Sequence, residues 1–221
     1  MRPPIFGFCF SNFMRGRALC TTLSLVALLV STTTCRPSAM TLPLAFTPTS
    51  APSGAMGISG PRNKIFVMPL VDQRDDKARI GENREKPDVV PIYAGVPAPA
   101  EFVHDALVDQ LRAGGVNIVQ NSQPADRLIA VTLTKFWVNE ESNYVAQIVA
   151  DIEVRDKTGT LLWSGTARGG DTTFGRSLSV ENYQQVLSDS MVALASSILR
   201  DSGFQKAISA VDSSGADQQR P

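Results

Sequence analysis

The stretch LIAVTLTKFWVN, Leu128 to Asn139, and the stretch YVAQIVADIEVR, Tyr144 to Arg155, are separated by the polar turn Glu140 to Asn143. They read as two long strands of one hairpin, rich in β-branched and aromatic residues. In the second, Tyr144, Ala146, Ile148, Ala150, Ile152 and Val154 fall on one face, and Gln147, Asp151, Glu153 and Arg155 on the other. That period of two makes one face core and the other wet. Asp156-Lys157-Thr158-Gly159 turns the chain, with glycine free to take a positive φ, and Leu161 to Ala167 returns as the third strand of an antiparallel meander. The alternation breaks between Leu133 and Phe136, which places a bulge near Lys135.

An apolar sheet face needs a cover, and two segments have the helical period to supply it. Pro99 to Ala113 has proline at its start and Gly114-Gly115 at its end, with Val103, Ala106, Leu107, Gln110 and Leu111 on one side. Ser179 is the N-cap of a second helix reaching about Asp201, with Tyr183, Val186, Leu187, Met191, Leu194 and Ile198 as its apolar stripe. Upstream, Lys64 to Val71 is a first strand with Pro69 at an end or edge, and Val116 to Val119 is a short strand after the glycine stop. Asp72 to Val96 is long for a connection, so it is either a functional loop or conceals a short strand. The expected fold is α+β: a two-layer sandwich, with a mixed sheet of about five strands including the three-stranded antiparallel meander, and two helices on one face.

The amino-terminal residues carry an address. Arg15 and Arg17 precede the apolar run Ala18 to Val30, which has the length of a signal-peptide core and is too short for a membrane span. Cys35 follows it. Residues 1–34 are expected to be a signal peptide, with Met14 opening a self-contained version of it as an alternative start. Residues 35–61 would be a lipidated cysteine and a Pro/Ser/Thr/Gly-rich tether, 62–211 a single α+β domain, and 212–221 a polar tail. A Cys35 carrying several acyl chains, palmitate among them, gives the stable anchoring that one chain cannot. Arg36 is not the aspartate associated with inner-membrane retention, so the outer membrane, facing the periplasm, is the expected location.

The 221 residues carry 21 basic and 21 acidic side chains, for no net charge and no Lys/Arg-rich run. Nucleic acid is thereby an unsuitable partner, since phosphate contacts need clustered cations. Cys9, Cys20 and Cys35 all lie at or before the proposed cleavage point, so the exported domain would rest on its core without disulfides. His104 is the single histidine, which leaves a zinc site or a Ser/His triad only that residue to build on. It falls beside the apolar stripe of the first helix and reads as a flanking position. No cofactor, no metal and no enzymatic activity are expected.

Four residues stand out as contacts for a ligand or partner. Asp72 and Arg74 sit with Asp75 and Asp76 where the first strand ends; the plainer reading is a solvated loop with an internal ion pair. Trp137, beside Phe136, and Trp163 in the third meander strand could form an aromatic platform, against ordinary cross-strand packing as the alternative. Gly165, Gly169, Gly170 and Gly175 do not have the spacing of a nucleotide-binding loop.

The signal with Cys35, the strand IFVMPLVDQRDD, the Ile80-Gly81 pair, the helix VHDALVDQLRAGGVNIV, the meander and the closing helix with Ala193-Leu194-Ala195 together resemble the YajG-like family of small bacterial lipoproteins. The resemblance implies an envelope address and an α+β fold, and it lends no catalytic residues. The expected function is that of a non-enzymatic envelope lipoprotein contacting an envelope protein. A periplasmic binding module for a small glycan or lipid is the alternative.

Overall fold

The computed structural model describes residues 38–49 and 63–210. The expected signal peptide, Cys35, most of the tether and the tail lie outside these residues. The elements follow the order β1 (Met40–Leu42), β2 (Ile65–Val67), β3 (Val71–Asp72), β4 (Arg79–Asn83), β5 (Val90–Ala94), α1 (Pro99–Ala113), β6 (Arg127–Glu140), β7 (Asn143–Asp156), β8 (Leu161–Phe174), α2 (Val180–Arg200) and α3 (Ser202–Ser209).

The meander forms as its alternation predicts. β6 and β7 pair antiparallel from Arg127↔Asp156 to Glu140↔Tyr144, with a register shift between Leu133 and Lys135, where the bulge was expected. β7 and β8 pair from Asn143↔Phe174 to Arg155↔Leu161. One face is a continuous core of Ile129, Val131, Leu133, Phe136 and Val138 from β6 and Tyr144, Ile148, Ile152 and Val154 from β7. Each such side chain contributes roughly 1.5–3 kcal/mol of transfer free energy. Every stripe residue named for α1 and α2 is buried, and the Ser179 hydroxyl accepts from the Asn182 N–H at 3.3 Å as the N-cap of α2. α2 approaches β8 so closely at Gly169 that a Cβ there would stand 2.0 Å from the Ser190 carbonyl oxygen. Gly169 is therefore a packing residue.

Among the described residues the sheet is larger than expected: a mixed open sheet of eight strands, ordered β1-β5-β4-β6-β7-β8, with β2 and β3 beside the first half of β6, and three helices instead of two. The Asp72 to Val96 segment contains the antiparallel pair β4 and β5. β4, Arg-Ile-Gly-Glu-Asn, looks like loop by composition, yet Glu82 is 7% and Asn83 0% exposed. Glu82 tolerates burial because Arg79 and Arg84 both pair with it. Part of the segment expected as tether is instead paired: Met40 to Leu42 runs parallel to Ile92 to Ala94 of β5. Residues 43–49 then lie on α2, with the Thr47 N–H donating to the Ser188 hydroxyl at 2.9 Å. Val116 to Val119 forms only an isolated bridge, Ile65↔Ile118. α3 is capped by Asp201, whose carboxylate accepts from the Phe204 N–H at 2.8 Å. No helix among the described residues is long and apolar enough to cross a membrane.

Candidate functional site

The outer edge of β6 is served by three short parallel strands in succession. β2 pairs with Arg127 to Ile129, β3 with Thr132 and Leu133, and β4 with Val138 to Glu140. Between the last two, at Thr134 to Trp137, the β6 bulge faces the loop that carries residues 73–78. A cavity of about 210 Å³ opens there, lined by that loop, by Arg79 and by Thr134 to Trp137.

Arg74 closes the inner side of this opening. Its Nε and Nη2 donate to the Asp72 carboxylate at 3.0 and 2.8 Å, Nη2 also to the Lys77 carbonyl at 2.7 Å, and Nη1 to the Arg79 carbonyl at 3.3 Å. The guanidinium lies 5.8 Å from the centre of the Phe136 ring. This bidentate pair is buried, with side-chain exposures of 6% for Arg74 and 10% for Asp72, so it is part of the fold and not the solvated pair that sequence alone would suggest. Asp76 is occupied as well, its Oδ1 accepting from the Ala78 and Arg79 N–H groups at 3.0 Å each.

The wall of the cavity is built on Trp137. Its Nε1 donates to Asn139 Oδ1 at 2.7 Å, and the Arg79 guanidinium stacks 5.5 Å from its ring. Arg79 also donates to Glu82 Oε2 at 2.7 Å, and Lys135 reaches across the sheet to Gln147 Oε1 at 2.6 Å. Arg74 and Arg79 are thus engaged by carboxylates behind the lining, Asp72 and Glu82, while Lys135 bonds an amide and Asp76 backbone N–H groups. The arrangement can receive a small apolar or planar group against Trp137, bordered by the side chains of Arg79 and Lys135.

Of the four ligand-contact residues named from sequence, Arg74 and Trp137 line this cavity, and Asp72 stands behind it as the partner of Arg74. Trp163 does not: it packs edge-on against Phe204 of α3, with ring centres 5.5 Å apart. Phe136 faces the core, where its ring meets Phe102 at 5.8 Å, so the two neighbouring aromatics of β6 point to opposite sides. His104 lies on a separate cleft of about 410 Å³ between α1 and β2, with Nδ1 2.9 Å from Asp105 Oδ1. Among the described residues, no group of three or more His, Cys, Asp or Glu is placed to hold a metal ion. Sequence reasoning missed Arg79, whose only signal is its place three residues before Glu82.

It also missed Glu140, which reads as a turn residue yet is fully buried. Its carboxylate accepts from the Tyr183 hydroxyl and from the Ser177 and Leu178 N–H groups. Burial works to raise its pKa, but those bonds and one from Asn83 outweigh it and hold the carboxyl below its ordinary 4.5. Burial, then the neighbouring Glu140, pushes the Tyr183 hydroxyl well above the usual tyrosine range.

The site and fold define an α+β domain with a small open pocket lined by Trp137, Phe136 and charged side chains of both signs. No family model matches the chain, and no curated protein matches it. Solved structures similar to it include a Xanthomonas campestris protein of family DUF330, at 12% identity and TM-score 0.49, covering 77% of this chain and 95% of that one. A second is a PelC dodecamer from Paraburkholderia phytofirmans, at 17% identity and TM-score 0.39, covering 69% and 94%. A third is lipoprotein GNA1162 from Neisseria meningitidis, at 14% identity and TM-score 0.27, covering 52% and 88%. At these values the likenesses extend to neither activity, partner nor assembly, and none of the three is described as YajG-like.

Proposed function

We propose that the chain is an envelope lipoprotein of YajG-like type, anchored through Cys35 in the outer membrane, whose α+β domain is a non-enzymatic docking module for an envelope protein. The observation that carries this reading is the order basic cluster, short apolar run, cysteine, from Arg15 to Cys35. Between Cys35 and the docked β1 stand residues 36–39, Arg-Pro-Ser-Ala, a polar, proline-containing span that suits a chain leaving a membrane surface. The test is palmitate labelling of the full-length protein and of Cys35→Ser, followed by separation of inner and outer membranes. Label in the wild type alone, in the outer-membrane fraction, is the expected result. Label in neither protein removes the anchor.

The roughly 210 Å³ cavity beside Trp137 favours a second reading, in which the domain binds a small glycan or lipid fragment there. That volume falls below the ~300–1,000 Å³ of most ligand sites, which is why the docking reading stands first.

A further inference from the structure

The backbone groups of β2 alternate in direction. The Lys64 carbonyl accepts from the Arg127 N–H at 3.1 Å and the Met68 N–H donates to the Ile129 carbonyl at 2.8 Å, so these groups, with Phe66 between them, face β6. Ile65 faces the other way: its N–H donates to the Asn117 carbonyl at 2.9 Å, and its carbonyl accepts from the Val119 N–H at 2.8 Å. By the same alternation Val67 points its N–H and C=O to that outer side. The segment ending at Val119 does not continue along β2, and neither group of Val67 has a hydrogen-bond partner among the described residues. Val67 is 3% exposed, and a buried peptide group left without a partner costs about 1–3 kcal/mol.

The cleft of about 410 Å³ between α1 and β2 lies on this side, lined by Val67, by Val119 and Gln120 where the chain peels away, and by one flank of α1. Val108 and Ile118 give it an apolar floor. Its rim carries two carboxylates against one guanidinium. Asp105 and Asp109 have side chains 71% and 65% exposed, and each gives only Oδ1 to a neighbour, to His104 Nδ1 at 2.9 Å and Arg112 Nη1 at 3.4 Å. Both Oδ2 atoms are without a partner among the described residues, so the rim favours a cation. From Asp105 to Arg112 the helix rises about 10 Å, the length of three extended residues.

We infer that this cleft receives an extended peptide of the docking partner, added as a short strand against Val67, with an apolar side chain over Val108 and Ile118 and a basic one beside Asp105 and Asp109. Main-chain bonds to a strand edge, with a helix opposite to select side chains, are a general means of peptide recognition. The inference rests on the reading of the domain as a docking module and names the face it uses.

A phage-displayed library of random eight-residue peptides, selected on the full-length protein in detergent micelles, supplies the probe. A selected peptide is expected to bind with a Kd of about 1–100 μM and to slow hydrogen exchange at the Val67 N–H about 10-fold or more, leaving Phe66, already bonded to β6, nearly unchanged. Only alternate peptide amides can face Val67. N-methylation of one alternate set should therefore abolish binding, and methylation of the other set should leave it within about 3-fold, a contrast that leaves the protein itself untouched. Asp105→Lys, at an exposed position, should weaken the peptide about 5-fold or more. No peptide tighter than about 100 μM, an unprotected Val67, equal tolerance of both methylation patterns, or indifference to Asp105→Lys would each overturn the assignment. So would protection of Val67 that grows with protein concentration alone, which would give the slot to a second copy. Any of these strikes the cleft only, because the palmitate label and membrane fraction that test the anchored docking module do not involve it.

Discussion

Glu140, the last residue of β6, accepts the Tyr183 hydroxyl of α2 at 2.5 Å, and through that bond the β6–β7 hairpin holds the start of the long helix. Its other oxygen accepts the N–H groups of Ser177 at 2.7 Å and Leu178 at 3.1 Å. Those two residues have positive φ values, 131° and 54°, which side-chain-bearing residues adopt at a cost. The Tyr144 hydroxyl accepts the Ser179 N–H at 3.0 Å, so every backbone donor of this β8–α2 turn from Ser177 to Ser179 meets a side chain of the hairpin.

Because the folded-state pKa of Glu140 lies below its ordinary 4.5, its carboxylate stabilises the fold above that pH, and the contribution fades as pH falls through the folded value. Glu140→Gln keeps the shape without the charge. It should cost about 2 kcal/mol in urea unfolding near pH 7. The gap from wild type should narrow as the pH drops from about 5 towards 3. A gap that stays constant over that range would show that the carboxylate's charge is not what matters.

Two adjacent glycines of β8 should respond oppositely to alanine. At Gly169 a Cβ would meet the Ser190 carbonyl oxygen at 2.0 Å, whereas at Gly170 the nearest atom is the Ala146 carbonyl oxygen at 3.3 Å. Gly169→Ala is expected to lose about 2–4 kcal/mol, because α2 must lift off the sheet. Gly170→Ala should stay within about 0.5 kcal/mol of wild type, since a side chain on the open face of a strand offsets slight crowding. Thermal unfolding of the two variants side by side decides it.

Removing Arg74 leaves the Asp72 carboxylate buried without its partner. Arg74→Ala should destabilise by about 3 kcal/mol, and the double variant Asp72→Ala/Arg74→Ala by clearly less than the two single losses combined. Additive losses from a double-mutant cycle in urea would mean that the pair is not coupled.

In Trp163→Phe protein, Trp137 is the sole tryptophan and reports directly on the β6 cavity. The docking reading expects its emission to be unmoved by muropeptides or phospholipid micelles. A saturable shift, abolished by Arg79→Ala, would instead promote the small-ligand reading.

How far the residues disclose the fold depends on the range of the interaction that builds each element. α1 was readable to its terminal residues and the β6–β7–β8 meander nearly so, because a proline start, a glycine stop and a strict two-residue alternation are local signals. β8 runs seven residues beyond the expected Ala167, through Gly169 and Gly170, since those glycines suit the approach of α2 and not any preference of the strand itself. β1 and β4 were illegible for a related reason. Met40 to Leu42 is ordered by pairing with β5, more than forty residues later, and the burial of Glu82 is made tolerable by Arg79 and Arg84.

The candidate site divides in the same way. Asp72, Arg74 and Trp137 were visible as chemistry, and the bulge near Lys135 as a break in pattern. That Arg74, Lys135 and Trp137 line one cavity follows from where β3 stops and β4 resumes along β6, a matter of long-range register. The basic cluster and short apolar run ahead of Cys35, α1 and α2, the meander and the absence of thiols after Cys35 are properties of the chain as written, because each rests on local periodicity or composition. Tertiary structure alone decided that Trp163 packs against α3, that Glu140 is a buried anchor, and that β8 is the last strand of the sheet among the described residues. Each of those depends on which distant segment arrives beside it, and no short window of sequence contains that information.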